Sequence, residues 1–205
     1  MNRLLPVVAV AVLCAGCAGS MLDSGNEPPE TYRLEGPALV AAGDTLPLAL
    51  GVARPRSASS LDTERIAVVH AAGGFDYFAG MRWADAAPQM LQSLLVRAFT
   101  ADGRFATTVA SPSRVPTDLL LDVELRRFEA VYATADGPPR VRVELQATLV
   151  DSRKGTRLAS FLASSEASAE RNRQPEVVAA FGVAGNEALQ VVVMRVRDAT
   201  AALPR

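Results

Sequence analysis

The chain has 205 residues with 21 basic, 22 acidic and one histidine side chain, a formal charge of −1 at pH 7. That balance, with no basic block and no interleaving of basic and aromatic residues, argues against a nucleic-acid binder. Both cysteines, Cys14 and Cys17, lie near the N-terminus, so the remainder carries no thiol for a disulfide or a zinc site and must be stabilised by its core.

The N-terminus has the three parts of an export signal: Arg3, an apolar run from Leu4 to Leu13, and small Ala15-Gly16. The run falls short of the roughly 20 apolar residues a membrane helix needs, and the chain turns polar at Ser20, Asp23, Ser24, Asn26 and Glu27. Small residues directly before Cys17 resemble the lipobox of bacterial lipoproteins, with one departure, Cys14 in place of the usual leucine. The resemblance implies cleavage before Cys17, a covalent diacylglycerol on its sulfur, an acyl chain on its nitrogen, and no other cofactor. Ala18 rather than Asp after the cysteine implies sorting to the outer membrane. An ordinary secretory signal with an incidental cysteine is the alternative. Residues 1–17 are thus read as a signal peptide and 18–31, with Gly19, Gly25, Pro28 and Pro29, as a flexible tether. Such a tether has an r.m.s. span of roughly 20 Å. Residues 32–205 are read as one domain, long enough for a substantial core.

Within that domain, Tyr32-Arg33-Leu34 and Thr45 to Ala53 read as strands, and Arg54 to Thr63 as a polar connection. Arg65-Ile66-Ala67-Val68-Val69-His70 is an apolar run of buried-strand length. Gly73-Gly74 turns the chain into Phe75-Asp76-Tyr77-Phe78. Asp85 is the expected cap of a helix with Pro88 in its first turn, one apolar face from Met90, Leu91, Leu94, Leu95 and Ala98, and a stop at Asp102-Gly103.

Arg104 to Val109 reads as a further strand. Leu119, Leu121, Val123 and Leu125 then alternate with Asp122, Glu124 and Arg126, and after Arg127 the apolar positions change parity to Phe128, Ala130 and Tyr132. A one-residue change of face predicts a β-bulge near Arg126-Arg127. Val141 to Leu149 repeat the alternation after the Asp136-Gly137-Pro138-Pro139 turn, and Arg157 to Ser165 follow Lys154-Gly155. These three strands predict an antiparallel meander with one buried face. From Pro175, apolar residues at three- and four-residue intervals predict a helix over Glu176 to Ala202 about 40 Å long. Gly182 and Gly185 interrupt it, and close packing on the sheet would explain them. The fold class is α+β: a mixed, mainly antiparallel sheet with two main helices on one face, in a single domain.

Few residues point to catalysis. His70 is the only histidine and has no cysteine or carboxylate pair beside it in sequence, which fits a partly buried histidine at a strand end better than a metal site or a Ser-His-Asp arrangement. No nucleophile elbow and no phosphate-cradling glycine loop is present. Asp122 and Glu124 share a strand face with Arg126, the pattern of a solvated charged row. The chain therefore reads as a binder or adaptor, not an enzyme. Phe75 to Trp83 concentrates aromatic residues with Arg82, a composition enriched at binding hot spots. Two readings stay open: Tyr77, Phe78, Arg82 and Trp83 dock a partner, or Phe75, Phe78 and Trp83 fill the core.

The lipobox, the Tyr-x-Leu start, Leu61-Asp62-x-x-Arg65-Ile66-Ala67-Val68, Tyr77-Phe78-Ala79, Arg82-Trp83-Ala84, the Asp118 to Phe128 and Val141 to Asp151 strands and the terminal helix together resemble the ABC-type transport auxiliary lipoproteins, relatives of paraquat-inducible protein C. No single motif carries the likeness; order and spacing do. It implies a periplasm-facing, lipid-anchored partner of an ABC permease, its ATPase and a protein with mammalian-cell-entry (MCE) domains. Such a system moves lipids or other hydrophobic molecules between inner and outer membranes. A homo-oligomeric ring at a conduit tip is an arrangement the likeness allows. Two other readings are a lipoprotein that assists envelope assembly without an MCE partner, and a periplasmic hydrolase, which would require a nucleophile and base in one cleft.

Overall fold

The computed structural model describes residues 28–39, 41 and 45–203. Cys17 and most of the expected tether lie outside them. Among the described residues the elements are β1 (Glu30–Tyr32), β2 (Leu46–Ala53), β3 (Arg56–Ser57), β4 (Arg65–Val69), β5 (Phe75–Trp83), α1 (Ala87–Asp102), β6 (Phe105–Ser111), β7 (Leu119–Val131), β8 (Arg140–Asp151), β9 (Thr156–Ser168) and α2 (Gln174–Thr200). The first strand begins at Glu30, inside the stretch read as tether.

Everything is arranged around β7. Along one edge it pairs antiparallel with β8, which pairs antiparallel with β9, as the alternation predicts. The expected bulge is there too, as a register shift between Leu125 and Arg127. Along the other edge three strands follow end to end, all parallel to β7: β2 beside Leu119–Leu121, β3 beside Glu124-Leu125 and β4 beside Glu129–Val131. That edge therefore splits the sheet into two wings. In one, β6 extends β2 in parallel; in the other, β5 adds antiparallel to β4 and β1 parallel to β5.

Both helices cover one face of this sheet. Leu121, Val123, Leu125, Phe128 and Ala130 of β7 and Val141, Val143, Leu145, Ala147 and Leu149 of β8 point inward and are buried. Over them α2 lays Phe181, Ala184, Ala188, Leu189, Val192 and Val196. At 27 residues α2 is about 40 Å long. It is apolar and long enough to cross a membrane, but half of its most apolar window is buried inside the domain, as befits a core helix. Gly185 is buried facing the segment after β1, where an added Cβ would meet Leu34 Cδ1 at 3.7 Å; Gly182 has open space instead. Packing on the sheet is thus not the reason for either glycine.

The helix α1 packs Leu91, Leu94, Leu95 and Phe99 into the same core. Buried Gln92 ties it to the sheet, donating from Nε2 to Val52 O (2.9 Å) and Ser111 O (3.1 Å). Its N-cap is Ala86, without a side-chain cap, so Asp85 does not fill that role. Gly103 closes it in the left-handed conformation (φ 67°), donating to Phe99 O. The C-terminal ends of the two helices are joined by an ion pair between fully buried Asp102 and Arg197, and by Arg104 Nη2 donating to Thr200 O at 3.0 Å.

Candidate functional site

The aromatic segment forms β5 and its hairpin with β4. Gly73 takes the left-handed conformation the turn requires (φ 82°), with Gly73 N donating to His70 O (2.7 Å) and His70 N to Gly74 O (2.8 Å). A strand alternates its side chains between faces, so neighbours in this segment part company. Trp83 goes inward: it is 1% exposed, its ring 5.6 Å from Phe128 and 5.1 Å edge-on to Phe181. A side chain so enclosed cannot touch a partner, so for Trp83 the core reading holds. It braces the strand from beneath.

The other three residues reach the surface on different sides. Tyr77 pairs with Ala67 and donates from its hydroxyl to Ser60 O (3.1 Å). The Arg65 guanidinium stacks 3.7 Å above its ring, and exposed Phe75 meets it edge-on at 5.3 Å. Arg82 pairs with Arg65 in the ladder and donates to Thr31 Oγ1 and Glu64 Oε2, both at 3.2 Å. Phe78 lies on the helix side, 6.3 Å from the ring of Tyr132.

Phe78 and Tyr132 line a depression of about 250 Å³, with His70, Asp76 and Asn172 also contributing. The His70 ring stacks toward Tyr132 at 6.5 Å, and His70 is exposed rather than partly buried. Tyr132 Oη donates to Asn172 Oδ1 at 2.6 Å, and burial pushes the phenol pKa up. The lining holds a histidine and a carboxylate but no serine, threonine or cysteine to act as a nucleophile. Its rings suit contact with an apolar or aromatic group. Of its residues, Tyr132 was legible as the last inward position after the bulge; Asn172, from the connection into α2, left no signal in the sequence.

A second hollow, of about 480 Å³, lies beside the charged row and is lined by Arg127, Arg142, Glu144, Ser164 and Glu166. Its charges neutralise one another: Arg142 Nε is 2.8 Å from Glu166, which also meets Arg140 at 3.3 Å, and Glu144 lies 3.9 Å from Arg127. Asp122 pairs with Arg56 and Glu124 with Arg126, as expected of a solvated charged row. No group of three or more metal-ligating side chains occurs among the described residues.

Residues 32–193 match the family model of the ABC-type transport auxiliary lipoprotein component. The chain belongs to that family. An uncharacterized Bradyrhizobium diazoefficiens protein is 28% identical over 166 residues, 80% of this chain but 44% of its own length, so this chain spans less than half of that relative. The crystal structure of protein XCC0632 from Xanthomonas campestris is similar with a TM-score of 0.75 and 26% identity, covering 84% of this chain and 97% of that one. The hypothetical protein CT253 of Chlamydia trachomatis, 8% identical, shares the fold at a TM-score of 0.54, covering 77% of this chain and 99% of that one.

Proposed function

We propose that this chain is the periplasm-facing auxiliary subunit of an MCE-type ABC transporter that moves lipids or other hydrophobic molecules between the inner and outer membranes. Cys17, carrying diacylglycerol on sulfur and an acyl chain on nitrogen, anchors it in the outer membrane after removal of residues 1–17. Residues 18–29 tether the domain near that surface. Several acyl chains, at about 0.8 kcal/mol per buried methylene, hold such an anchor firmly.

The family match across residues 32–193 carries this reading. Energy for transport comes from the ATPase of the complex; this subunit supplies position and contact. Tyr77, Phe78 and Arg82 are the surface residues through which it docks the transporter, with Trp83 holding their strand from the core. Assembly of several copies around a conduit tip is compatible with this role.

The test is affinity purification of the native, membrane-extracted protein, with mass spectrometry of its partners and of its N-terminal peptide. The expected result is an MCE-domain protein with its permease and ATPase, and a triacylated peptide beginning at Cys17. An acylated peptide with envelope-assembly partners alone would overturn the transport assignment; an unmodified N-terminus would overturn the anchor.

A further inference from the structure

Among the described residues, only part of the outer edge of β5 is covered. The strand runs from Phe75 to Trp83, yet β1 pairs with Met81, Arg82 and Trp83 alone. With Glu30 opposite Met81, the same register would place Pro29 opposite Gly80 and Pro28 opposite Ala79. Proline has no N–H to offer a ladder, and Gly80 bends its own strand away from the regular conformation (φ 73°). The first described strand therefore stops short, and among the described residues no strand pairs with Phe75–Ala79 on that side.

The unpaired edge has backbone groups to give. Because His70 N bonds to Gly74 O, the alternation of an antiparallel ladder makes Val68–Asp76 a bonded pair and turns the N–H and C=O groups of Phe75 and Tyr77 away from β4. Tyr77 N accordingly donates not to a strand but to its neighbour Asp76 Oδ1 at 2.8 Å. Edges left open are usually guarded by lysine, proline or bulges; here the Asp76 carboxylate holds Tyr77 N and, farther along, Gln174 Nε2 donates to Ala79 O at 3.5 Å, so the open stretch is Phe75 to Phe78.

Side-chain features flank this edge on both faces. On the helix side lies the depression beside Phe78 and Tyr132, large enough at about 250 Å³ for a long apolar side chain. On the other side lies Arg65, exposed, stacked on Tyr77 and in none of the ion pairs among the described residues. Its charge calls for an acidic complement.

We propose that the edge of β5 from Phe75 to Phe78 takes up an extended segment of a partner protein as an added strand, with apolar and acidic side chains in alternation. The apolar side chain enters the depression and the acidic one meets Arg65, while main-chain bonds to Phe75 and Tyr77 supply affinity, the division of labour usual in strand addition. The inference rests on the reading that this end of the domain docks the transporter.

The test titrates the full chain, reconstituted in lipid nanodiscs, with a synthetic peptide of about ten residues alternating leucine and glutamate; the control has the same composition in two blocks. Hydrogen exchange at the Phe75 and Tyr77 amides is the readout. The alternating peptide is expected to protect both amides, and the block peptide neither. Phe75→Pro removes one outward N–H and is expected to weaken binding roughly five- to tenfold relative to Phe75→Ala, which keeps it. Arg65→Glu is expected to shift preference to a leucine–lysine peptide, a variant whose folding does not depend on the strand backbone. Equal binding of the two leucine–glutamate peptides, or of Phe75→Pro and Phe75→Ala, would overturn strand addition. A transporter that co-purifies equally with the wild type and Phe75→Pro overturns strand addition and leaves the docking reading standing. Protection of β5 by the peptide, with no transporter recovered from the native membrane, overturns the docking reading and supports strand addition.

Discussion

Leu145 and Glu144 are neighbours on β8, but Leu145 is fully buried against the helices while Glu144 lies on the open side, within 4.0 Å of Arg126 and 3.9 Å of Arg127. The same contrast runs along the whole meander. Its inner face is apolar and covered by α2; its outer face is a lattice in which Arg56, Arg126, Arg127, Arg140 and Arg142 meet Asp122, Glu124, Glu129, Glu144 and Glu166. Burial of apolar surface contributes about 25 cal/mol per Å², whereas half-exposed ion pairs are worth about 0–1 kcal/mol each. The inner face therefore holds the fold together, while the opposite charges of the outer face are balanced by pairing. The wing that carries β5 differs from both, with apolar rings on each side and, among the described residues, no strand paired along Phe75 to Phe78.

The sharpest break of this contrast is in the core. Trp83→Ala is expected to cost about 3–5 kcal/mol, the range for removing a large buried aromatic, read as a fall in urea midpoint; a loss below about 1 kcal/mol would mean Trp83 is not the brace described. Arg197→Ala leaves the buried Asp102 carboxylate without that partner and is expected to cost about 3–5 kcal/mol. Its check is the same denaturation curve, with the Asp102→Asn, Arg197→Ala double variant recovering part of the loss.

Leu145→Ala should cost about 2–5 kcal/mol, against less than about 1 kcal/mol for Glu144→Gln one residue away. Comparable losses for the two would erase the distinction between the faces. A pH effect is expected at the depression. Because burial raises the Tyr132 pKa, the folded state holds that proton more tightly than the unfolded one. The stability this lends is complete below the ordinary phenol value of about 10 and is lost as pH rises through the folded value. Tyr132→Phe should therefore flatten the decline in melting temperature above pH 10.

The smallest effect belongs to Asp62. The Arg54 guanidinium hydrogen-bonded to it holds its carboxyl below the usual range. Its contribution is present above the ordinary aspartate value of about 4 and is lost as pH falls through the lowered one. Both groups are largely in solvent, so Asp62→Asn should change acid stability by only a few tenths of a kcal/mol.

The meander, its bulge and both helices were legible because a half-buried element writes its own period into the chain: two for Leu119 to Leu125, three to four for Val178 to Leu203. The parity change after Arg127 even located the bulge. The strand at Arg56-Ser57 was not legible, since two polar residues carry no period and become a strand only by lying beside Glu124-Leu125. The cap of α1 fell to Ala86 although Asp85 has the better capping chemistry.

For the aromatic segment, composition singled out the right stretch but could not sort its members. Hot spots and cores draw on the same large side chains. What separated Trp83 from Tyr77 and Phe78 was contact with Phe128 and Phe181, residues 45 and 98 positions away in the chain. Local periodicity, charge balance and the placement of cysteines are properties of neighbouring residues, and those the sequence by itself determined: a meander, two helices, one buried face and a family likeness. Which strands run parallel on the far edge of β7, which aromatic rings stay outside, and how little of β5 the described part of β1 covers were decided by the tertiary structure alone. The physical reason is that each depends on which distant segment pairs with a hydrogen-bonding edge or packs on an apolar surface, and a pattern of period two or 3.6 does not name its partner.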